Sequence, residues 1–247
     1  DLMGKRYHNL TIDGQLKDYA YDGKFIVNDA HLKADFDGNI QFSGKPYRLN
    51  FDTTLDYIDL DYLGLTNNWG AKVRGKLQGD FALTNLDDFV GTLNINDLHF
   101  QSKTDTLDVA SAFIDSKVSN GVKSIYADVP GFLRGEINGR FVLTEIANAV
   151  NNTLVPLVPS FRKKAVSPNQ EYTVDVFIEQ NILAYFNPDI VIQPNTSVKG
   201  YINTDENTFQ ANIDTPGIAY GNIKAYNALV NLDTTTEENM ISAKVDS

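Results

Sequence analysis

Arg74-Gly75-Lys76-Leu77-Gln78-Gly79-Asp80-Phe81-Ala82-Leu83-Thr84 decides the fold class, because the pattern returns 60 residues later as Arg134-Gly135-Glu136-Ile137-Asn138-Gly139-Arg140-Phe141-Val142-Leu143-Thr144. Polar and apolar residues alternate in both copies, and successive side chains of an extended chain point to opposite sides. Leu77, Gly79, Phe81 and Leu83 therefore share one face of a strand, while Lys76, Gln78 and Asp80 share the other. A second related pair, residues 23–32 and 91–100, lies 68 residues apart, with a weaker echo at 221–230. The unequal spacings exclude a repeat of fixed residue length such as a propeller blade. The expected fold is all-β: an elongated, strongly coiled antiparallel sheet with one apolar face and a short helical interruption.

Strands are expected from Leu10 onward, among them Lys24 to Lys33, Asn39 to Ser43, Tyr47 to Thr53, Ala71 to Thr84, Gly91 to Gln101 and Leu133 to Leu143. They resume at Tyr172 and run to Val245. Asp13-Gly14, Asp22-Gly23, Asp37-Gly38 and Asn120-Gly121 predict hairpin turns, since these dipeptides accept positive φ. Asn187-Pro188 and Thr215-Pro216-Gly217 are further turn points. Between the strand blocks, Thr144 reads as a helix N-cap, with Ile146, Ala147, Val150 and Leu154 at helical spacing. Pro156 and Pro159 stop this helix. Leu157, Val158 and Phe161 prolong its apolar stripe, and Arg162-Lys163-Lys164 close it with positive charge. A second short helix or turn is expected over 181–186. The chain thus divides into a first β segment (1–143), a helical interlude (144–168) and a second β segment (169–247).

The 14 Phe and 12 Tyr suit strands, and the absence of Cys excludes a disulfide scaffold and thiol chemistry. A net charge of −11 without a basic stripe argues against nucleic acid as a partner. There is no apolar run of the ~20 residues that a membrane helix needs. The start at Asp1, without Met or signal peptide, reads as a processed or excised piece of a longer protein.

No catalytic constellation is evident, and none of the three histidines, His8, His31 and His99, forms a His-x-x-x-His pair. His31 and His99 are equivalent in the second repeat, which points to a shared structural role. Asp35-Phe36-Asp37-Gly38-Asn39 resembles the start of a calcium loop, but its Gly comes too early and Pro46 stands where the bidentate Glu belongs, so it reads as a hairpin turn. Asp52, Asp56, Asp59 and Asp61 read as a solvated loop; a glycosidase-like carboxylate pair at Asp59 and Asp61 is the enzymatic alternative. The expectation is a non-enzymatic chain with no catalytic residue, no metal and no cofactor.

Gly75, Gly79, Gly135 and Gly139 sit on the apolar face and admit two readings. Either they let another backbone approach closely or coil the sheet, or they leave room for an apolar occupant. On the second reading the face is a trough lined by Phe25, Val27, Val73, Leu77, Phe81, Leu83, Leu93, Ile95, Ile137, Phe141, Leu143, Phe209 and Ile213.

The run from Ser124 to Phe141, the helical stretch from Thr144 to Phe161, and the later segments Phe177 to Ile190, Val198-Lys199-Gly200-Tyr201 and Thr215 to Tyr220 resemble the repeats of TamB-type translocation and assembly module proteins, of the AsmA-like family. The resemblance covers most of the chain as a pattern of strands and turns. It implies an internal fragment of a long Gram-negative envelope protein, the periplasmic portion of an inner-membrane-anchored chain, whose β-taco sheet forms a hydrophobic groove. It further implies a conduit carrying phospholipid between inner and outer membrane, with a BamA-like outer-membrane partner engaged through parts of the protein not seen here. The alternative is a chaperone-like module that assists outer-membrane β-barrel assembly by strand addition.

Overall fold

A computed structural model describes residues 5–64, 66, 68–103, 105–155, 162–181, 190–206, 208–220, 223–234 and 240–245. It is all-β, an antiparallel sheet that does not close into a barrel. The strands are β1 Leu10–Lys17, β2 Ala20–Asn28, β3 Leu32–Gln41, β4 Tyr47–Asp59, β5 Lys72–Leu83, β6 Val90–Gln101, β7 Thr106–Ser119, β8 Val122–Val129, β9 Leu133–Arg140, β10 Glu171–Ile178, β11 Ile190–Ile192, β12 Thr196–Asn203, β13 Thr208–Tyr220, β14 Ile223–Asp233 and β15 Met240–Val245. They neighbour one another in chain order, except that β11 leaves the path and pairs with β13. Two short α-helices interrupt them, α1 Leu60–Leu63 and α2 Ile146–Leu154. No described helix is long and apolar enough to cross a membrane. The chain divides within β7 into two compact units, 1–115 and 116–247, and the expected helical stretch 144–168 lies inside the second.

The sequence repeat becomes regular when counted in strands. Residues 23–32 begin in β2 and 91–100 lie in β6, while the repeat at Arg74 lies in β5 and the one at Arg134 in β9. Each pair is four strands apart, so the 60- and 68-residue spacings differ only in strand and loop length.

The three predicted Asp-Gly turns are not turns. Gly14, Gly23 and Gly38 lie within β1, β2 and β3, where they face one another directly across the ladders. Gly38 opposes Phe51 of β4, and Phe51 opposes Gly79 of β5, which continues the row. A Cβ on Gly38 would lie 2.7 Å from the Phe51 Cα, and one on Gly23 would strike the backbone at Asp13 and Gly14. Close approach of neighbouring backbone, not turn formation, requires glycine here. The actual β1–β2 turn is made by Asp18 (φ 51°) and Tyr19 (φ 59°). Asn120 (φ 52°) and Gly121 (φ 78°) do form the predicted hairpin turn between β7 and β8.

Lys24 to Lys33 is not one strand, since β2 ends at Asn28 and Asp29 caps the reversal, its carboxylate accepting from the backbone N–H of His31 (3.0 Å) and His8 (2.9 Å). Its repeat equivalent, Asp97, takes φ 54°, and there the β5–β6 register slips by one residue between Arg74 and Lys76. The same residues thus end one strand and bulge another. Asp35 to Asn39 lie inside β3, and Thr215-Pro216-Gly217 inside β13, instead of forming turns.

In the second unit α2 packs onto the sheet's apolar face. Its N-cap is Glu145, not Thr144, and no side chain caps the helix. The Glu145 carboxylate instead accepts from Ser167 N (2.6 Å), Ser167 Oγ (2.9 Å) and Gln170 Nε2 (2.8 Å). Ile146, Ala149 and Val150 join the apolar cluster, whereas Ala147 is exposed. Residues 156–161 and 182–189, with the expected prolines, the prolonged apolar stripe and most of the second short helix, lie outside the described residues.

Candidate functional site

Cross-strand register puts the expected lining residues that lie on strands on one face within each unit; Phe141 and Leu143 follow the end of β9. In the first unit the row Ile12, Phe25, Phe36, Thr53, Leu77, Ile95 crosses β1 to β6 through directly opposed partners. On the same face Val27 opposes Ala34, Val73 opposes Ile58 and Phe100, Phe81 opposes Leu49, Leu83 opposes Tyr47 and Leu93 opposes Gly79. The alternate residues carry the polar groups, including the pairs Lys24–Asp37 (3.1 Å) and Lys76–Asp97 (3.3 Å).

An aromatic ribbon runs through this face. Phe25 stacks on Phe36 with ring centroids 4.4 Å apart and planes 10° from parallel. Phe36 and Phe51 follow at 5.6 Å, Phe51 and Phe81 at 5.7 Å edge to face, and Phe81 and Phe89 at 5.0 Å. The ribbon answers the question that the glycines raise. A Cβ on Gly79 would lie 2.6 Å from Phe51 Cε1 and 2.7 Å from Phe81 Cε1, so two rings already fill the space. In the second unit Gly135 and Gly139 are held against the backbone of β10 at Val176 and Tyr172. The glycines provide close approach and aromatic cover, not an empty trough.

Exposure differs along the face of the first unit. Val27 and Phe36 are buried, and Phe25, Val73, Leu77, Phe81, Leu83, Leu93 and Ile95 are half-buried. On β1 the same face is open: Leu10 is 52% exposed, Ile12 61% and Leu16 74%. In the second unit the face is covered. Phe141, Tyr172, Ile202, Phe209, Ala211 and Ala149 form a buried cluster, with Ile137, Leu143, Ile146 and Val150 packed against it. Ile213, opposite Val198 and Val230, stays half-buried. Tyr172 carries a buried hydroxyl with no hydrogen-bond partner among the described residues, and desolvation pushes its pKa up to about 12.

The candidate chemical residues serve local structure. Asp52 and Asp56 lie on β4, not in a loop. Asp59 caps α1, accepting from Tyr62 N at 3.0 Å, and its other oxygen lies 3.3 Å from His31 Nδ1. Asp61 accepts from Thr66 Oγ1 (2.6 Å), Gly70 N (2.6 Å) and Trp69 N (3.2 Å), contacts that hold its carboxyl below the usual carboxylate range. His31 stacks on Tyr62 with centroids 3.8 Å apart, and His99 pairs with Asp108 at 2.6 Å. The repeat-equivalent histidines therefore share a carboxylate-pairing role. No cluster of potential metal ligands occurs among the described residues.

Sequence reasoning missed Tyr21, Phe36, Phe51 and Phe89 of the aromatic region, although Phe36 and Phe51 have the inward parity of their strands. It also missed Ala149, Tyr172, Ile202 and Ala211. No family model matches the chain, and no curated protein or solved structure matches it.

Proposed function

We propose that the first unit is a non-enzymatic conduit segment whose apolar face carries phospholipid acyl chains. The observation that carries this reading is a register-aligned apolar face across six strands that the unit leaves half-buried and, on β1, open to water. Large exposed apolar surface is a feature of binding faces and is uncommon elsewhere on soluble domains. Leu77 on β5 belongs to a strand of 12 residues, about 40 Å long, against ~15 Å for the acyl depth of one leaflet. The resemblance adds a setting to the proposal: the periplasmic portion of an inner-membrane-anchored envelope protein, with a BamA-like partner reached elsewhere in the protein.

The test is organic extraction and mass spectrometry of the purified chain, with a photo-crosslinking residue at Leu77 and, as control, at outward-facing Gln78. Co-purified phospholipid with an adduct at 77 and none at 78 is the expected result. Strand addition to unfolded β-barrel segments is the second reading, favoured by β1, whose eight residues are all exposed. Saturable binding of such peptides, without lipid, selects it instead.

A further inference from the structure

We propose that Arg162-Lys163-Lys164 dock the phosphate headgroup of anionic phospholipid at a bilayer surface; this rests on the lipid reading above and names the headgroup class. They form the longest run of cations in a chain of net charge −11. Elsewhere, some cations on the sheet are neutralised across strands, as in Arg140–Glu171 (2.8 Å) and Lys199–Asp175 (2.9 Å). Arg162, Lys163 and Lys164 are exposed, and none makes an ion pair with a described residue.

Their backbone is held in place by α2. Asn151 Nδ2 donates to the Arg162 carbonyl (2.7 Å), and Asn152 Nδ2 to the Lys164 carbonyl (2.8 Å). The Lys164 N–H donates back to Asn152 Oδ1 (2.7 Å). The nearby carboxylate of Glu145 accepts from Ser167 and Gln170 and makes no ion pair with the run. Two residues beyond Lys164, Val166 packs against the apolar cluster. A fixed cationic run thus adjoins apolar side chains, the complement of a phosphate joined to acyl chains. At 0.15 M salt the screening length is ~8 Å, so charges farther than that from the run are largely screened from it.

The experiment is co-sedimentation of the whole chain with vesicles of phosphatidylcholine alone or containing 30 mol% phosphatidylglycerol (a chosen composition of roughly one anionic lipid in three), at 0.15 M salt. The variant is Arg162→Gln, Lys163→Gln, Lys164→Gln, and a second, Lys163→Arg with Lys164→Arg, keeps the charge. About fivefold in partitioning per cation predicts roughly a hundredfold loss for the glutamine variant on anionic vesicles. The arginine variant should bind like wild type, and both should keep the wild-type circular dichroism and the Leu77 adduct. Equal wild-type binding to both vesicles, or unchanged binding by the glutamine variant, overturns the proposal. Anionic-vesicle selectivity without lipid at Leu77 refutes the conduit and retains the docking site, so the two failures are distinct.

Discussion

Gly23→Ala is expected to separate two costs that glycine removes from this sheet. Gly23 has φ 146°, and an added Cβ would meet the backbone of Asp13 and Gly14 on β1. Gly44 has nearly the same φ, 149°, but nothing lies within 4 Å of its added Cβ. Both substitutions incur the strain of placing an L side chain at that φ, about 1–3 kcal/mol. Only Gly23→Ala must also push two paired strands apart. Loosening a pair of ladder hydrogen bonds there, at about 1 kcal/mol each, makes Gly23→Ala the more destabilising by roughly 2 kcal/mol. Both residues belong to the first unit, so urea unfolding followed by circular dichroism compares them within one cooperative body. A difference below about 0.5 kcal/mol would refute close approach as the reason for the glycine row.

Phe141→Arg should destabilise the second unit by about 3–5 kcal/mol, because it buries a charge beneath α2 with the Lys123 ammonium lying 5.8 Å from the native ring. Phe81→Arg, on the half-buried face of the first unit, should cost about 1–2 kcal/mol as its stem covers apolar surface while its charge reaches water; equal losses in chemical denaturation would refute the contrast between covered and open faces. Asp61 has its folded pKa lowered chiefly by the Thr66 hydroxyl, so its stabilisation is present above the unfolded carboxylate value and is lost as pH falls through the folded one. Asp61→Asn should therefore lower the thermal midpoint at pH 7 and flatten its decline below about pH 4, as read from melting curves across pH; an unchanged acid limb would show that the carboxylate contributes nothing there.

The inward face was legible because a period of two persists through β5 and β9, and that parity alone put Leu77, Phe81, Ile137 and Phe141 on the apolar side of their units. Turns were less legible. An Asp-Gly dipeptide gives the same local signal whether its glycine turns the chain or admits a neighbouring strand, and only cross-strand register, as in Gly14–Gly23–Gly38, distinguishes the cases. The real β1–β2 turn was hidden because Asp18 and Tyr19 carry positive φ without glycine. Helical spacing located α2 and put Ile146 and Val150 on its inward side, but it took Ala147 in place of the buried Ala149. Glu145 escaped local reasoning because its partners, Ser167 and Gln170, lie beyond the helix. The aromatic ribbon arises from register between strands, so no single segment could announce it.

The four-strand offset of the two repeats has a consequence for how this chain tolerates insertions. In an antiparallel ladder four steps restore both strand direction and hairpin order, so equivalent residues can keep the same inward or outward parity whatever the loops between them contain. Because neighbours in the chain are mostly neighbours in the sheet, lengthening a hairpin loop disturbs one junction and leaves the other pairings in place. A one-residue insertion inside a strand behaves differently, since it inverts the parity of the rest of that strand unless a bulge absorbs the extra residue, as the slip beside Asp97 does. Length is therefore negotiable at the rims and fixed along the strands.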